Sequence, residues 1–404
     1  MRRTIPMYGH DVLAPHIDRA DNACLFDGQG RQYIDLESGV WCTPLGHCHP
    51  AVLQAITGQS ARVGHVGFCW SSKVVEQAAE RVLSLLGFTG GSCVFLCSGS
   101  EAVEYCLRAA RTLAGADKPL LTLADSYFGA YGSAHKDSKD PWLRFDWLGC
   151  EPCPHDGPCS DACESWQSIP FSQFAGFLFE PGSSSGMVRF PPVKLIQAMA
   201  AKIQGQGGWV IVNEVTTGMG RTGKWFGYEH YGLSPDMAAL GKGVGNGFPV
   251  SVAAFSPPVA EHLSHTPVPY AQSHQNDATG AAVVQAVIKA MEEQGLIQQC
   301  QDLSDVLLNG LGRIKKKFPV ITAIRGRGLM IAVDLDQETF PGLALRVQRD
   351  LVERGYILTH RSGTGTLRLD PCLTIEEEHL RGFLAAFQTS LAESLESWRP
   401  DSSS

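Results

Sequence analysis

The apolar positions of this 404-residue chain fall into two kinds of run. Short unbroken stretches recur through its middle: CVFLC at 93–97, LLTL at 120–123, AGFLF at 175–179, WVIV at 209–212, AAL at 238–240 and SVAAF at 251–255. Runs of this length, rich in β-branched and aromatic residues, predict strands buried on both faces of a sheet. Between them, apolar residues recur at helical spacing. Val74, Val75, Ala78, Val82, Leu85 and Leu86 predict a helix over 71–86, and further helices are expected after the Ser98-Gly99-Ser100 turn and over KLIQAMAAKI. From Gln294 onward the pattern becomes helix, strand (GRGLMIAVDL), helix, strand and helix, which predicts a smaller C-terminal α/β domain.

Polar residues gather where these strands should end. Asn213-Glu214 follows the 209–212 run, Gly241-Lys242-Gly243 follows the 238–240 run, and Glu180 sits at the tip of the 175–179 run. The carboxyl ends of strands are where α/β sheets hold ligands. A lone Gly-Lys-Gly reads more readily as a solvated loop. The Ser98-Gly99-Ser100 turn offers two compatible readings: backbone amides at a helix start that hold an anion, and a capping box from Ser98 to Glu101. His47-Cys48-His49 suggests a metal, but three ligands within three residues do not easily face one ion.

Composition narrows the class. Hydrophobic content of 44% with 18% charged residues suits a globular protein with a large core. A net charge of -8 and a pI near 5.9 leave no basic footprint for nucleic acid or an anionic membrane. No run approaches the roughly 18 apolar residues that span a bilayer, so a cytoplasmic location is expected. Most of the thirteen cysteines lie singly in apolar segments, as reduced core thiols do. Cys150, Cys153, Cys159 and Cys163 are the exception, and their spacing could enclose a structural zinc ion or belong to a thiol-rich surface loop.

VNEVTTGMGRTGKWFG, followed by LGKGVGNGFP, resembles the class-III aminotransferases, the pyridoxal-phosphate enzymes that include ornithine, acetylornithine and 4-aminobutyrate aminotransferases. LGHCHP and LRLDPCL, near the two ends, are similar to further motifs of that family. The resemblance covers about residues 10–385 and implies the α/β fold type I of pyridoxal-phosphate transferases. Its large domain carries a mostly parallel sheet flanked by helices, and a smaller C-terminal α/β domain accompanies it. It implies an N-terminal segment 1–52 belonging to the small domain, a large cofactor-binding domain 53–294 and a small domain 295–396; the serine-rich end, 397–404, is expected to be a disordered tail. It also implies a homodimer with sites at the subunit interface, and as partners a small-molecule amino donor and a 2-oxo acid acceptor.

By the same resemblance Lys242 forms the Schiff base with pyridoxal phosphate. Gly99 and Ser100 form the phosphate cup, Tyr127 stacks on the ring, and Asn213, Val215 and Thr216 also contact the cofactor. Gln272 or Ser273 stands where a threonine reaches the phosphate across the dimer. Trp41 lines the substrate entrance, Glu180 belongs to the substrate site, and Arg368 holds a substrate carboxylate through its planar guanidinium.

Three departures bear on function. Asn213 replaces the aspartate that keeps the pyridine nitrogen protonated, so the electron sink should be weaker. Phe128 replaces a histidine. Ser183-Ser184-Ser185 occupies the place of a glutamate that pairs with the carboxylate-binding arginine, so Arg368 is expected to stand permanently free for an amino-acid substrate. The expected activity is amino transfer from a carboxylate-bearing donor to a 2-oxo acid. An amino-acid racemase or epimerase on the same scaffold, and a cofactor-binding subunit without catalysis of its own, are the alternatives.

Overall fold

A computed structural model describes residue 5, residues 16–67, 69–115, 118–134 and 142–151, positions 153, 157 and 159, and residues 163–398. Positions 399–404 of the expected tail lie outside the described residues. The chain divides into two compact units, one of residues 50–185 and 189–294, the other of residues 1–49, 186–188 and 295–404.

The smaller unit opens the chain with β1 (Ile17–Asp21), β2 (Cys24–Asp27) and β3 (Gln32–Asp35), an antiparallel meander. The larger unit then supplies β4 (Ser92–Leu96), β5 (Leu120–Leu123), β6 (Trp142–Phe145), β7 (Gly176–Phe179), β8 (Trp209–Asn213), β9 (Met237–Leu240) and β10 (Ser251–Phe255). These make one seven-stranded sheet in the order β4-β10-β9-β8-β7-β5-β6. Strands β5 to β9 run parallel, while β10 is antiparallel to both its neighbours.

The central strands are apolar throughout because both faces are covered. Leu178, Ile211, Met237, Ala239 and Ala253 pack with Ala102, Val103, Cys106, Leu107, Ala109 and Ala110 of the helix Gly99–Ala114. The helix Val193–Gly205 lies against β7 and β8 and buries Leu195, Ile196, Met199 and Ile203. Each such aliphatic side chain contributes about 1.5–3 kcal/mol on burial. The consequence for the site is rigidity. The ends of β7, β8 and β9 stand in register, with Gly176 opposite Trp209 and Ile211 opposite Met237.

In the smaller unit the chain returns as β11 (Ile321–Arg327) and β12 (Met330–Leu335), then β13 (Tyr356–Ile357), β14 (Thr359–His360) and β15 (Thr366–Leu369). The expected single strand GRGLMIAVDL is instead the end of β11, a turn at Gly328 with φ of +55°, and β12. The polar look of β11 has a cause: Arg325 reaches Asp334 of β12 and the carbonyl of Met187. Strands β11, β12, β15 and β14 form an antiparallel sheet, and β13 joins β3 in parallel. Helices Leu296–Lys317, Leu343–Glu353 and Glu377–Glu396 complete the unit. Among the described residues, no helix is long and apolar enough to cross a membrane.

Candidate active site

Strand β9 ends at Gly241, and the chain turns there at once. Lys242 takes φ of +44°, a left-handed conformation that costs a non-glycine residue about 1–3 kcal/mol. Such strain persists only where the surroundings fix it. A Cβ on Gly241 would lie 3.0 Å from Cα of Gly99, and one on Gly99 would lie 2.6 Å from Cγ1 of Val215, so three backbone segments meet where only glycine fits. Lys242 Nζ donates to Thr216 Oγ1 at 3.1 Å.

Asn213 ends β8 and is buried. Its Nδ2 donates to the carbonyl of Tyr127 at 3.1 Å, and its Oδ1 accepts from the backbone amide of Val215 at 3.1 Å. A carbonyl on one side and an N–H on the other leave one orientation for the amide. One hydrogen of Nδ2 remains available to an acceptor. An aspartate here would set a carboxylate oxygen against the Tyr127 carbonyl. Asn213→Asp should therefore lower stability by about 1–3 kcal/mol in denaturant unfolding; unchanged stability would mean that the Asn213–Tyr127 bond is not made.

Tyr127 is held by its backbone and presents its ring. Its amide donates to Glu180 Oε2 at 3.2 Å, and the residue is 48% exposed. Its neighbour Phe128 turns the other way, into the core, and stacks on Trp142 with ring centroids 5.9 Å apart. Where the resembled family has a histidine, this chain has a packing residue. Glu180 is fully buried at the end of β7 and also accepts from Ser184 Oγ. Burial pushes its pKa up to about 7, against the pull of Ser184, the Tyr127 amide and the Lys242 charge. Glu214, beside Asn213, is likewise pushed up to about 7 by burial, but its oxygens are taken by Thr217 and the amides of Gly227 and Tyr228.

Gly99 and Ser100 begin the sixteen-residue helix Gly99–Ala114, with Ser98 as its cap. Ser98 Oγ accepts from the Glu101 amide at 3.3 Å, and the Glu101 carboxylate reaches back to the Cys97 amide at 3.1 Å. Ser100 Oγ accepts from the Ala130 amide. Gln272 turns toward its own loop: its Oε1 accepts from the His274 amide, and its Nε2 lies 3.9 Å from Cys97 Sγ. Ser273 is exposed.

The four clustered cysteines are half-buried thiols. Burial, then the nearness of Cys159, Cys163 and Cys153, raises the Cys150 pKa. Among the described residues their sulfurs fall in no group of three or more close ligand atoms. Among the described residues, the group whose ligand atoms all lie within 4.8 Å of one another is His65, His274 and Asp277, where both imidazoles bond Asp277 Oδ2.

The smaller unit holds Arg368 on β15 and Trp41 after β3. Residues 38–41 form a left-handed turn, with φ of +45°, +57°, +60° and +66°, unusual above all for the β-branched Val40. This turn lays the Trp41 ring 3.9 Å from the Arg368 guanidinium carbon. Arg368 is not free, contrary to the expectation drawn from the serine replacement. Its Nε and Nη2 donate to Asp370 at 2.6 and 3.1 Å, with both side chains no more than 1% exposed. The signal for Asp370 lies in strand alternation, since positions two apart share a face. Glu37 stands close by and accepts from Thr359 Oγ1 at 2.7 Å. Burial holds its carboxyl above the usual range.

A family model for class-III aminotransferases matches residues 7–131 and 158–391. The chain belongs to the class-III aminotransferases. It is 32% identical to an acetylornithine aminotransferase of Mycobacterium tuberculosis over 388 residues, which are 95% of this chain and 93% of the relative. A leucine/methionine racemase of Thermococcus litoralis is 28% identical, with 97% and 94% covered. Among solved structures, a PMP-bound aminotransferase of Vibrio fluvialis superposes with a TM-score of 0.87 at 20% identity, over 98% of this chain and 97% of that one. The fold is thus that of the pyridoxal-phosphate transaminases.

This class-III aminotransferase depends on pyridoxal phosphate, and its donor set fits that cofactor. Amides at the start of the Gly99–Ala114 helix suit a phosphate monoester. The Lys242 amine suits an aldehyde, the outward ring of Tyr127 an aromatic face, and the spare Nδ2 hydrogen of Asn213 an unprotonated ring nitrogen.

Proposed function

We propose that this aminotransferase moves an amino group from a carboxylate-bearing amino donor to a 2-oxo acid, with Lys242 as the amine that holds the cofactor. The gathering of Lys242, Thr216, Asn213, Tyr127 and Glu180 at the carboxyl ends of β7, β8 and β9 carries this reading. Pyridoxal phosphate, when bound, supplies the electron sink for carbanion chemistry. Gly99 and Ser100 hold the phosphate, and Val215 and Thr216 pack beside the ring site. The second hydrogen of the Asn213 amide would be offered to the ring nitrogen of the cofactor. Lys242 Nζ takes the proton from the substrate carbon that bears the amine. Arg368 takes the carboxylate of the 2-oxo acid, and Trp41 covers the guanidinium.

Gln272 and Ser273 are assigned to the phosphate of a second subunit. A homodimer is supported by the apolar side chains of Leu53, Val63, Val66 and Trp70, all exposed in the single chain. The thirteen cysteines are all thiols, which supports a cytoplasmic location. A zinc ion on Cys150, Cys153, Cys159 and Cys163 rests on their spacing alone, and metal analysis of the purified protein decides it.

Acetylornithine is the donor to try first, given the relatives' name. Purified protein loaded with cofactor should form glutamate or alanine from 2-oxoglutarate or pyruvate with at least one carboxylate-bearing amine. Failure with every donor would refute the proposal. Deuterium entering the amino-bearing carbon from solvent, without oxo acid, would mark the racemase reading that the Asn213 replacement favours.

A further inference from the structure

His65, His274 and Asp277 come together in the larger unit from places far apart in the chain. His65 lies between the helices Pro50–Ser60 and Lys73–Leu85, while Asp277 caps the helix Ala278–Glu293. One carboxylate oxygen serves both rings: His65 Nδ1 stands 3.0 Å and His274 Nδ1 3.2 Å from Asp277 Oδ2. The ring centroids are 4.7 Å apart, with the ring planes tilted by 43°. All three ligand atoms lie within 4.8 Å of one another.

The nitrogen–oxygen separations match the edges of a coordination shell. Metal–nitrogen and metal–oxygen bonds of about 2.0–2.2 Å set neighbouring ligand atoms about 2.8–3.6 Å apart, from octahedral to tetrahedral angles. Two imidazoles and one carboxylate are donors that suit a divalent ion such as zinc. The three residues are also held from outside the group. Asp277 Oδ1 accepts from the Thr279 amide at 2.9 Å, which fixes the carboxylate and leaves Oδ2 to the rings. Thr279 Oγ1 donates to the Gly64 carbonyl at 3.2 Å and so ties the His65 loop to the same helix. Asn276, at φ of +58°, is pinned to Phe95 of β4: its amide donates to the Phe95 carbonyl, and its Oδ1 accepts from the Phe95 amide, both at 2.9 Å. The His274 amide donates to Gln272 Oε1. The side chains of His65 and His274 are 39% and 58% exposed, so an ion can enter and keep water on its remaining positions.

We propose that His65 Nδ1, His274 Nδ1 and Asp277 Oδ2 form a site for a divalent transition-metal ion, with zinc as its occupant. Each ring gives its Nδ1 lone pair to the ion and carries its proton on Nε2. The three ligands meet only in the folded chain, so the ion clamps residues 274–277 to the loop at 64–65 and stabilises the fold. The site shares no residue with the assigned cofactor site or with the four clustered cysteines.

Zinc chloride titrated calorimetrically into the holoenzyme, after removal of metal with a chelator and dialysis, should show a zinc ion bound and a raised unfolding midpoint. His65→Gln and His274→Gln should each weaken that binding by at least about tenfold and abolish the rise. Asp277→Asn, which keeps a good cap for the helix, should do the same. Cys159→Ser should leave the site unchanged. No zinc bound by the wild type, unchanged affinity in either histidine variant, or binding lost in Cys159→Ser alone would overturn the proposal. Circular dichroism checks that the variants fold. Hydrogen exchange of the wild type decides the matter without any substitution: peptides covering 64–65 and 274–277 should exchange more slowly with zinc present, and exchange there that zinc leaves unchanged would overturn the proposal.

Discussion

Replacing Lys242 by alanine should lower amino transfer by about 10⁴-fold or more, since both the attachment of the cofactor and the proton transfer are assigned to one amine. The substitution leaves the fold little changed. Alanine at φ of +44° is as strained as lysine, and what is lost includes the hydrogen bond to the Thr216 hydroxyl and the pull of the Lys242 charge on Glu180. Activity and stability should thus separate: transfer is lost while the unfolding midpoint barely moves. Borohydride reduction followed by mass spectrometry gives a second readout. Wild type should retain the cofactor mass on the peptide that contains Lys242, and Lys242→Ala should not. Retention by the variant, or transfer within tenfold of wild type, would remove Lys242 from this role.

Arg368→Ala should act in the opposite manner, through stability first. The variant leaves Asp370 buried with no cation beside it, and near Glu37, whose own carboxyl is already held up by burial. An unpaired buried charge of this kind costs about 3–5 kcal/mol, read as a fall in unfolding free energy without substrate. Removing both charges, as Arg368→Met with Asp370→Leu, should recover most of that loss, because an apolar pair of similar volume requires no counterion. A single variant within about 1 kcal/mol of wild type would show that solvent reaches the pair.

Much of the fold was legible because the sheet is buried on both faces. Runs such as WVIV at 209–212 and SVAAF at 251–255 have no polar interruption, so their strands could be placed from composition alone. Strand β11 was missed for the opposite reason, since Arg325 and Arg327 break its pattern, and the partners of Arg325, Asp334 on the adjacent strand and the carbonyls of Met187 and Val188, are not visible locally. At the site, Lys242 and Asn213 were visible as polar residues just past buried runs. The inward turn of Phe128 was not, because its partner Trp142 lies fourteen residues on and no local pattern joins them. Asp370 was visible in principle, two residues after Arg368 in a strand, but a charge there reads as a solvated edge until burial is known.

Strand β6 is the outermost strand of the large sheet, and it falls within residues 132–157, which the family model leaves unmatched. An open sheet edge invites pairing with another chain, and short length and charge are the usual deterrents. Strand β6 has four residues, and Arg144 and Arg111 both lie within 6.0 Å of its Trp142 ring. The stretch that the family model leaves unmatched thus includes an edge strand whose short length and charge are deterrents to such pairing. Changes there would be felt as solubility on expression, with three strands between β6 and the strand that leads to Lys242, well before they were felt as a change in rate.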